Sequence, residues 1–365
     1  MKIQLYGDLL EEQRRSMEVC ATYLKAALSE ALGSGVECLI PSLTPLLGRV
    51  LPAWDIVAKT DLLLNRHFLY PLRTSADLHH VIDHSYAHLL HHLPQDRTVV
   101  TCHDLNILYR RQKSRNPLFH LSCDHILSGL DRAQWVICDS EFTKVALEKS
   151  GLAAGATVIV IPPGLSASFR VLSPTEIAEV AHRYKIPSGP TLIHVGDCFE
   201  RKNIEALLQI TAHVRAHVPV RLLKVGGVFT PAQQGLIAHL GLAEHLTHLA
   251  HVPLYDLVAL YNFADVCVFP SWLEGFGFPV LEAMACGTPV VASNCSSLPE
   301  VVQGAGFLAD PAAIESFVEP IVRLLSDPED ASGWSENGLR WVKQFTWQKH
   351  AEKTLQVYEK IMVAA

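Results

Sequence analysis

Two carboxylates and two cations stand out for the chemistry their types and spacing allow. Glu274 and Glu282 are separated by seven residues, across a loop that holds Gly275 and Gly277 and then Pro279. A carboxylate accepts hydrogen bonds on both oxygens, so Glu282 suits the paired hydroxyls of a ribose and Glu274 those of a sugar. Gly275 and Gly277 allow φ > 0 and close approach of backbone to a ligand, and Pro279 fits the first turn of a helix. The amides at that helix start, from Phe278 through Val280 to Leu281, then lack intrahelical partners and are receptive to phosphate. Upstream, Arg201 and Lys202 precede Asn203, the expected N-cap of a helix over 204–216. Cations are unfavourable at the positive end of a helix dipole unless an anion is shared, and a diphosphate is such an anion.

These groups need elements that carry them to one place. The apolar run 264–270 reads as a buried parallel strand leading into the Glu274 loop, and 191–195 as the strand before Gly196 and the Arg201-Lys202 loop. In open α/β sheets ligands bind beyond the carboxyl ends of such strands. The same logic applies in the first half of the chain, where a strand over 97–102 delivers His103 and Asp104. A strand within the run 132–140 meets a helix over 141–150 with Ser140 as its N-cap. Further strands are expected at 2–6, 36–40, 62–64, 78–82 and 158–161, the fourth ending at Asp83 and His84. A helix over 16–32 carries Met17, Cys20, Ala21, Leu24 and Leu28 at helical spacing. His80, His84, His88 and His92 are four apart, but a strand ending near Asp83 breaks that stripe, so no metal site is assigned.

The string Glu274-Gly-Phe-Gly-Phe-Pro-Val-Leu-Glu282-Ala-Met-Ala-Cys-Gly-Thr-Pro-Val-Val-Ala-Ser293 resembles the donor-site signature of the family 4 retaining glycosyltransferases. The run from Gly196 to Asn203 is similar to that family's phosphate-binding loop, and the Thr101-Cys-His103-Asp104 string to its acceptor-domain motif. The resemblance implies a GT-B fold: two Rossmann-like α/β domains facing across a cleft, with the final helix crossing back to the first. The expected division is 1–165 with 347–365 on the acceptor side and 166–346 on the nucleotide-sugar side. Implied roles are Arg201 and Lys202 at the leaving diphosphate, Glu274 on sugar hydroxyls and His103 beside the donor sugar. Gly196, Val252 at the base, Phe276, Gly277, Phe278, Val280, Leu281 and Glu282 would complete the donor site. The family's first loop is usually Gly-rich; here Arg14, Arg15 and Ser16 stand near it and, with His84, Asp104 and Ser140, are candidate acceptor or cleft residues.

The implied activity is transfer of a hexose with retention, in polysaccharide or glycolipid assembly, to a saccharide or lipid-linked saccharide. UDP-glucose is the favoured donor because the Arg14–Val19 and Asp83–Tyr86 strings resemble those of bacterial polysaccharide-assembly enzymes. GDP-mannose is the alternative, since users of that donor share a Cys-His-Asp-Leu string. A nucleotide-sugar 2-epimerase and an inactive nucleotide-sugar-binding subunit are more distant readings. No D-x-D string occurs, so no metal and no cofactor are expected.

Bulk properties agree with such a chain. At 365 residues and 49% hydrophobic content it is long enough for two full α/β cores. The formal charge of −7 lies in the second half, which argues against nucleic acid as a partner. The local cluster Arg110, Arg111, Lys113 and Arg115 reads as a solvated helix face in preference to a patch for anionic lipid or an anionic acceptor. Nine single cysteines without a C-x-x-C pair suggest reduced thiols. With no apolar run near the ~20 residues of a membrane span, the expected location is cytoplasmic, at most peripheral at the inner face of a membrane.

Overall fold

A computed structural model describes residues 1–12, 15–42, 55–72 and 75–364, and only the backbone of residues 15, 16, 34 and 55–59. The chain divides into two compact units, Met1–Gly164 with Thr346–Ala365, and Leu165–Phe345.

The first unit is built on β1 (Ile3–Tyr6), β2 (Val36–Leu39), β3 (Leu78–Val81), β4 (Thr98–Cys102), β5 (Trp135–Cys138) and β6 (Thr157–Val160). Their order is β2-β1-β3-β4-β5-β6, and every pairing is parallel. β3 and β4 are buried along their whole length, covered on both faces, with His79, His80, Thr98 and Thr101 among the buried polar residues. Strand order reverses between β1 and β3, the position at which open sheets of this kind part their loops.

The second unit uses β7 (Thr191–Val195), β8 (Arg221–Val225), β9 (Leu246–Leu249), β10 (Val266–Phe269), β11 (Val290–Ser293) and β12 (Phe307–Ala309). The order β12-β11-β10-β7-β8-β9 is again wholly parallel, and its reversal point lies between β7 and β10. Alternate residues feed two cores. Ile193, Leu223, Cys267 and Phe269 pack with Val280, Leu281 and Met284 on one face. Leu192, Leu222, Val266 and Val268 pack with Ile204, Leu207, Phe317 and Ile321 on the other. This is the period-two pattern of a sheet with helices on both sides. Together the two sheets make a GT-B fold.

The last helix, Trp347–Ala364, belongs to the first unit. Trp347 stacks on Tyr23 of the helix Arg15–Leu32, with centroids 5.8 Å apart and planes 10° apart. Tyr358 Oη lies 2.7 Å from His80 Nδ1 in β3, and His350 Nδ1 3.0 Å from the Pro162 carbonyl. Gly164 is required beneath it, because a Cβ there would sit 2.3 Å from the Trp347 nitrogen.

One expectation is corrected. Residues 62–64 are not a strand but the end of the helix Asp55–Leu64. A short apolar run fits either element, and here the helix runs on to Leu64, where the Asn65 side-chain Nδ2 donates to the Asp61 carbonyl one turn back, at 2.8 Å. Among the described residues of the first loop, Leu10–Glu12 form a 3-10 turn whose Glu12 carboxylate accepts from Tyr86 Oη at 2.8 Å and Arg66 Nη1 at 3.1 Å. Arg14 lies outside the described residues, as do the side chains of Arg15 and Ser16.

Candidate active site

In the second unit the loops leaving β7 and β10 sit side by side because those strands are neighbours, with Leu192 opposite Val266 and Ile193 opposite Cys267. After β7, Gly196 takes φ 150°, a conformation suited to glycine. The chain then makes the turn Glu200–Lys202 and enters the helix Ile204–Arg215.

Lys202 is buried, and its Nζ donates to Glu274 Oε1 at 2.7 Å; Arg201 Nη1 donates to Glu274 Oε2 at 3.1 Å and to the Leu273 carbonyl at 3.1 Å. One carboxylate thus bridges two cations that are 72 and 73 residues away in sequence. Two positive charges against one negative leave the cluster net cationic. Burial pulls the Lys202 ammonium below its usual range, and the Glu274 carboxylate holds it up.

Asn203 occupies the N-cap position with φ 53°, ψ 47°, but its side chain does not cap the helix. Its amide donates instead to the carbonyls of Pro270 at 3.0 Å and Pro311 at 3.2 Å, tying the β7 loop to the chain beyond β10 and β12. This corrects the expectation of a capping side chain, and the reason is that the left-handed backbone turns the amide toward those carbonyls.

Of the two loop glycines only Gly277 has positive φ, 114°; Gly275 does not. Gly277 is the N-cap of the helix Phe278–Ala285, with Pro279 in its first turn. The Val280 amide donates back to the Gly277 carbonyl at 3.0 Å. Ser297 Oγ donates to the carbonyls of Glu274 at 3.0 Å and Phe276 at 2.7 Å, and the Glu274 amide donates to Ser296 Oγ at 3.2 Å. The loop is therefore fixed before any ligand arrives. Phe276, Val280 and Leu281 bury their side chains in the core, so their contribution to a ligand is main-chain.

Glu282 is half-buried and accepts from Tyr261 Oη at 2.8 Å. Burial raises its carboxyl to about 7, with the Tyr261 hydroxyl and the Lys202 charge pulling the other way. Glu282 thus titrates near neutrality, and Lys202 links it electrostatically to the Arg201-Glu274 pair. Val252 lies just before the helix Leu254–Phe263 and packs partly buried against the same core.

In the first unit the ends of β3, β4 and β5 bring together a second group. His103 Nδ1 donates to Asp139 Oδ2 at 2.6 Å, and Nε2 donates to the Ile82 carbonyl at 2.8 Å. Both ring nitrogens face acceptors, so the ring is an imidazolium. Burial works against that charge, but Asp139, with help from Asp83 and the Ile82 carbonyl, lifts the group to about 10. His84 Nδ1 is 3.3 Å from Asp83 Oδ1 and Nε2 3.9 Å from Asp104 Oδ1. Asp104 also accepts from the Asn106 amide at 2.9 Å. Ser140 caps the helix Glu141–Ser150, its Oγ accepting from the Thr143 amide at 3.1 Å.

Sequence reasoning missed Asp139 and Tyr261 as partners of His103 and Glu282. Asp139 ends the strand next to the one that delivers His103, so adjacency in a parallel sheet was the available signal. Tyr261 sits on a different helix from Glu282 and offered none. Among the described residues no group of three or more His, Cys, Asp or Glu could hold a metal ion. His79 and His80 lie in β3, and His84, His88 and His91 in the following 3-10 segment His84–His91, so the histidine-rich stretch is split between two elements.

Comparison with known proteins adds to this geometry. Residues 179–341 match the family model described as glycosyl transferases group 1. The chain is 29% identical over 297 residues to O-antigen chain mannosyltransferase B of Escherichia coli, covering 80% of this chain and 78% of that protein. It is 28% identical over 210 residues to a GDP-mannose-dependent alpha-(1-6)-phosphatidylinositol monomannoside mannosyltransferase of Mycolicibacterium smegmatis, and spans only 55% of its length there, over 54% of this chain. Among solved structures, sucrose-phosphate synthase from Thermosynechococcus elongatus superposes with a TM-score of 0.76 at 23% identity, over 100% of both chains. An Anabaena protein, HepE, in complex with UDP and glucose superposes at 0.73 with 20% identity, over 99% of this chain and 100% of that one.

Proposed function

We propose, from a chain whose residues 179–341 match the family model described as glycosyl transferases group 1, that it moves a hexose from a nucleotide-sugar to a saccharide acceptor. The transfer proceeds with retention at the anomeric carbon and without a metal ion. The observation that carries this reading is the convergence of Arg201, Lys202 and Glu274 at the reversal point of the second sheet, beside the start of the helix Phe278–Ala285.

Each group has a task in that reaction. Arg201 and Lys202, net cationic even with Glu274 attached, take the charge that grows on the departing diphosphate. The start of the helix Phe278–Ala285 turns its positive dipole end toward phosphate oxygens, although the Val280 amide is already engaged by the Gly277 carbonyl and Pro279 has no N–H to offer. Glu274 accepts from sugar hydroxyls, and Glu282, once ionised, accepts from the ribose. With retention and no protein nucleophile, the leaving phosphate takes the acceptor's proton on the face from which the diphosphate departs. The His103 imidazolium, already bonded to Asp139 and Ile82, serves as a fixed positive charge rather than as a proton carrier.

For the donor we put GDP-mannose at least level with UDP-glucose. Both relatives compared above are named as mannosyltransferases, the second of them as GDP-mannose-dependent. UDP-glucose rests on the Arg14–Val19 and Asp83–Tyr86 strings alone. The O-antigen and phosphatidylinositol mannoside relatives support an acceptor in polysaccharide or glycolipid assembly. The test is calorimetric titration with GDP and UDP, followed by slow hydrolysis of GDP-mannose and UDP-glucose and anomeric analysis of the product. Binding of neither nucleotide overturns the reading. Conversion of the donor to an epimer without acceptor replaces it with a 2-epimerase, and binding without any turnover with an inactive partner subunit.

A further inference from the structure

The second unit buries another lysine, to which the reaction above gives no task. Lys224 stands in β8 opposite His194 of β7 and His248 of β9, and it is 0% exposed. An ammonium in such a place is costly unless its protons meet acceptors, and it has three to place. All three are met. Nζ donates to the Gly196 carbonyl at 2.5 Å, to the Val225 carbonyl at 3.1 Å and to the Gly226 carbonyl. Gly196 and Gly226 begin the turns that leave β7 and β8, so one charge ties two neighbouring turns together at the carboxyl edge of the sheet. Leu222, two residues back on the same face, is ordinary apolar core, so packing alone would be met at position 224 by an aliphatic side chain.

The two turns are pressed together, and Gly196 is pressed in turn against the Arg201-Lys202-Glu274 cluster. A Cβ on Gly226 would fall 3.0 Å from the Gly196 carbonyl oxygen, and one on Gly227 2.6 Å from the Cys198 nitrogen. A Cβ on Gly196 itself would lie 3.4 Å from Lys202 Cε and 3.5 Å from Lys202 Nζ. Lys202 is therefore seated against a residue whose carbonyl Lys224 holds. Because a peptide is planar and trans, the Asp197 and Gly227 amides, which share planes with the two held carbonyls, turn away from the Lys224 ammonium. His194 lies between the lysines and stacks on Phe269, with centroids 5.3 Å apart. Burial, then the Lys224 and Lys202 charges, push its ring well below the ordinary histidine range, so it adds no charge of its own.

We propose that Lys224 is a positioning residue for the transfer: by holding the Gly196 and Gly226 carbonyls it fixes the turn against which Lys202 is seated, and with it the place of the charge that meets the diphosphate. The assignment rests on the function proposed above and adds to it a residue that acts only through the backbone and Lys202. Burial lowers the Lys224 ammonium to about 8, with Cys198 and Asp197 holding it up and Lys202 pulling it down, so the charge is present at neutral pH.

Calorimetric titration of the full chain with GDP and GMP, and with UDP and UMP, tests it. K224M keeps the side chain's length without its charge. It weakens the diphosphate that the parent binds by about tenfold or more and leaves the matching monophosphate as in the parent. A residue that merely packs would weaken both nucleotides together; that outcome, or unchanged affinity for both, overturns the assignment while leaving the proposed function in place. A parent chain that binds no nucleotide overturns the function and this assignment with it. K224R gives a second measurement that does not depend on K224M folding. In the parent, the ratio of diphosphate to monophosphate affinity falls as pH rises through about 8, and Glu282 cancels from that ratio because both nucleotides carry the ribose. In K224R the guanidinium stays charged, so the decline is lost. The other groups that face the ammonium, Asp197 and Cys198 on the β7 turn, His194, Lys202 and His248, are common to both proteins. A flat ratio in the parent, or the same decline in K224R, overturns the assignment.

Discussion

Lys202 Nζ and Glu274 Oε1 lie 2.7 Å apart with both side chains buried, although they stand on loops from different strands. Their meeting ties the stability of the second unit to the groups assigned to diphosphate departure. Replacing Glu274 by Ala leaves an ammonium unpaired in the interior, and the expected cost is about 3–5 kcal/mol of unfolding free energy. Replacing Lys202 by Met removes the charge and keeps the volume. That variant should retain more stability than Glu274→Ala while losing at least about a hundredfold in kcat, with KM changed much less. Urea denaturation and steady-state kinetics on the pair check both halves; equal turnover in Lys202→Met and the parent removes the leaving-group role.

His103 predicts a pH dependence in the first unit. Its folded value, about 10, lies above the ordinary histidine range, so folding favours the protonated ring. The stabilisation is fully present below about 6.5 and is lost as pH rises through the folded value. Denaturation midpoints of the parent and His103→Gln should therefore differ most at mildly acidic pH and converge toward pH 10. Asp139→Asn should bring the ring's titration down by several units in an NMR experiment, since the carboxylate is the main source of the upward pull.

Glu282 makes a prediction about ligand binding. With its carboxyl raised to about 7 by burial, only part of the population is ionised at neutral pH. If the ionised form grips the ribose, nucleotide affinity climbs with pH through that value. Tyr261→Phe deletes a hydroxyl that favours the carboxylate, so the midpoint of the climb should move to higher pH. Titration calorimetry with the nucleotide between pH 6 and 8, about one unit either side of neutrality, reads the shift. A flat profile in both proteins would place the ribose elsewhere.

Gly277 sets the helix start. Its φ of 114° and a Cβ that would fall 2.8 Å from Leu298 Cδ2 both oppose a side chain. Gly277→Ala should lower nucleotide affinity by about tenfold or more while costing only about 1–3 kcal/mol of stability. A fluorescence-quench titration alongside thermal melting separates the two effects.

How much of this was legible in the residues depends on distance along the chain. Strands such as β7, β10 and β4 announce themselves because a strand covered on both faces is mostly apolar, even where a buried polar residue such as His194 or Thr101 interrupts it. Ser140 as an N-cap, and the helix it begins, follow from local hydrogen bonding alone. The run 62–64 misled because three apolar residues carry no period, and the helix that contains them was decided by what lies upstream. Asn203 sits at the expected place with its amide engaged elsewhere, and Gly275 needs no positive φ although Gly277 does. The bridging of Arg201 and Lys202 by one carboxylate was not written in either motif. It follows from β7 and β10 being neighbours, which only strand order decides.

The helix Trp347–Ala364 packs with the first unit, while everything from Leu165 to Phe345 forms the second. During synthesis, then, the later-made unit is the one whose sequence is continuous and can mature first on the ribosome. The earlier-made unit waits, its Tyr23 ring and His80 nitrogen uncovered, until Trp347 and Tyr358 emerge to meet them. The order of translation and the order of completion are reversed, and chaperone demand should fall on the amino-terminal half.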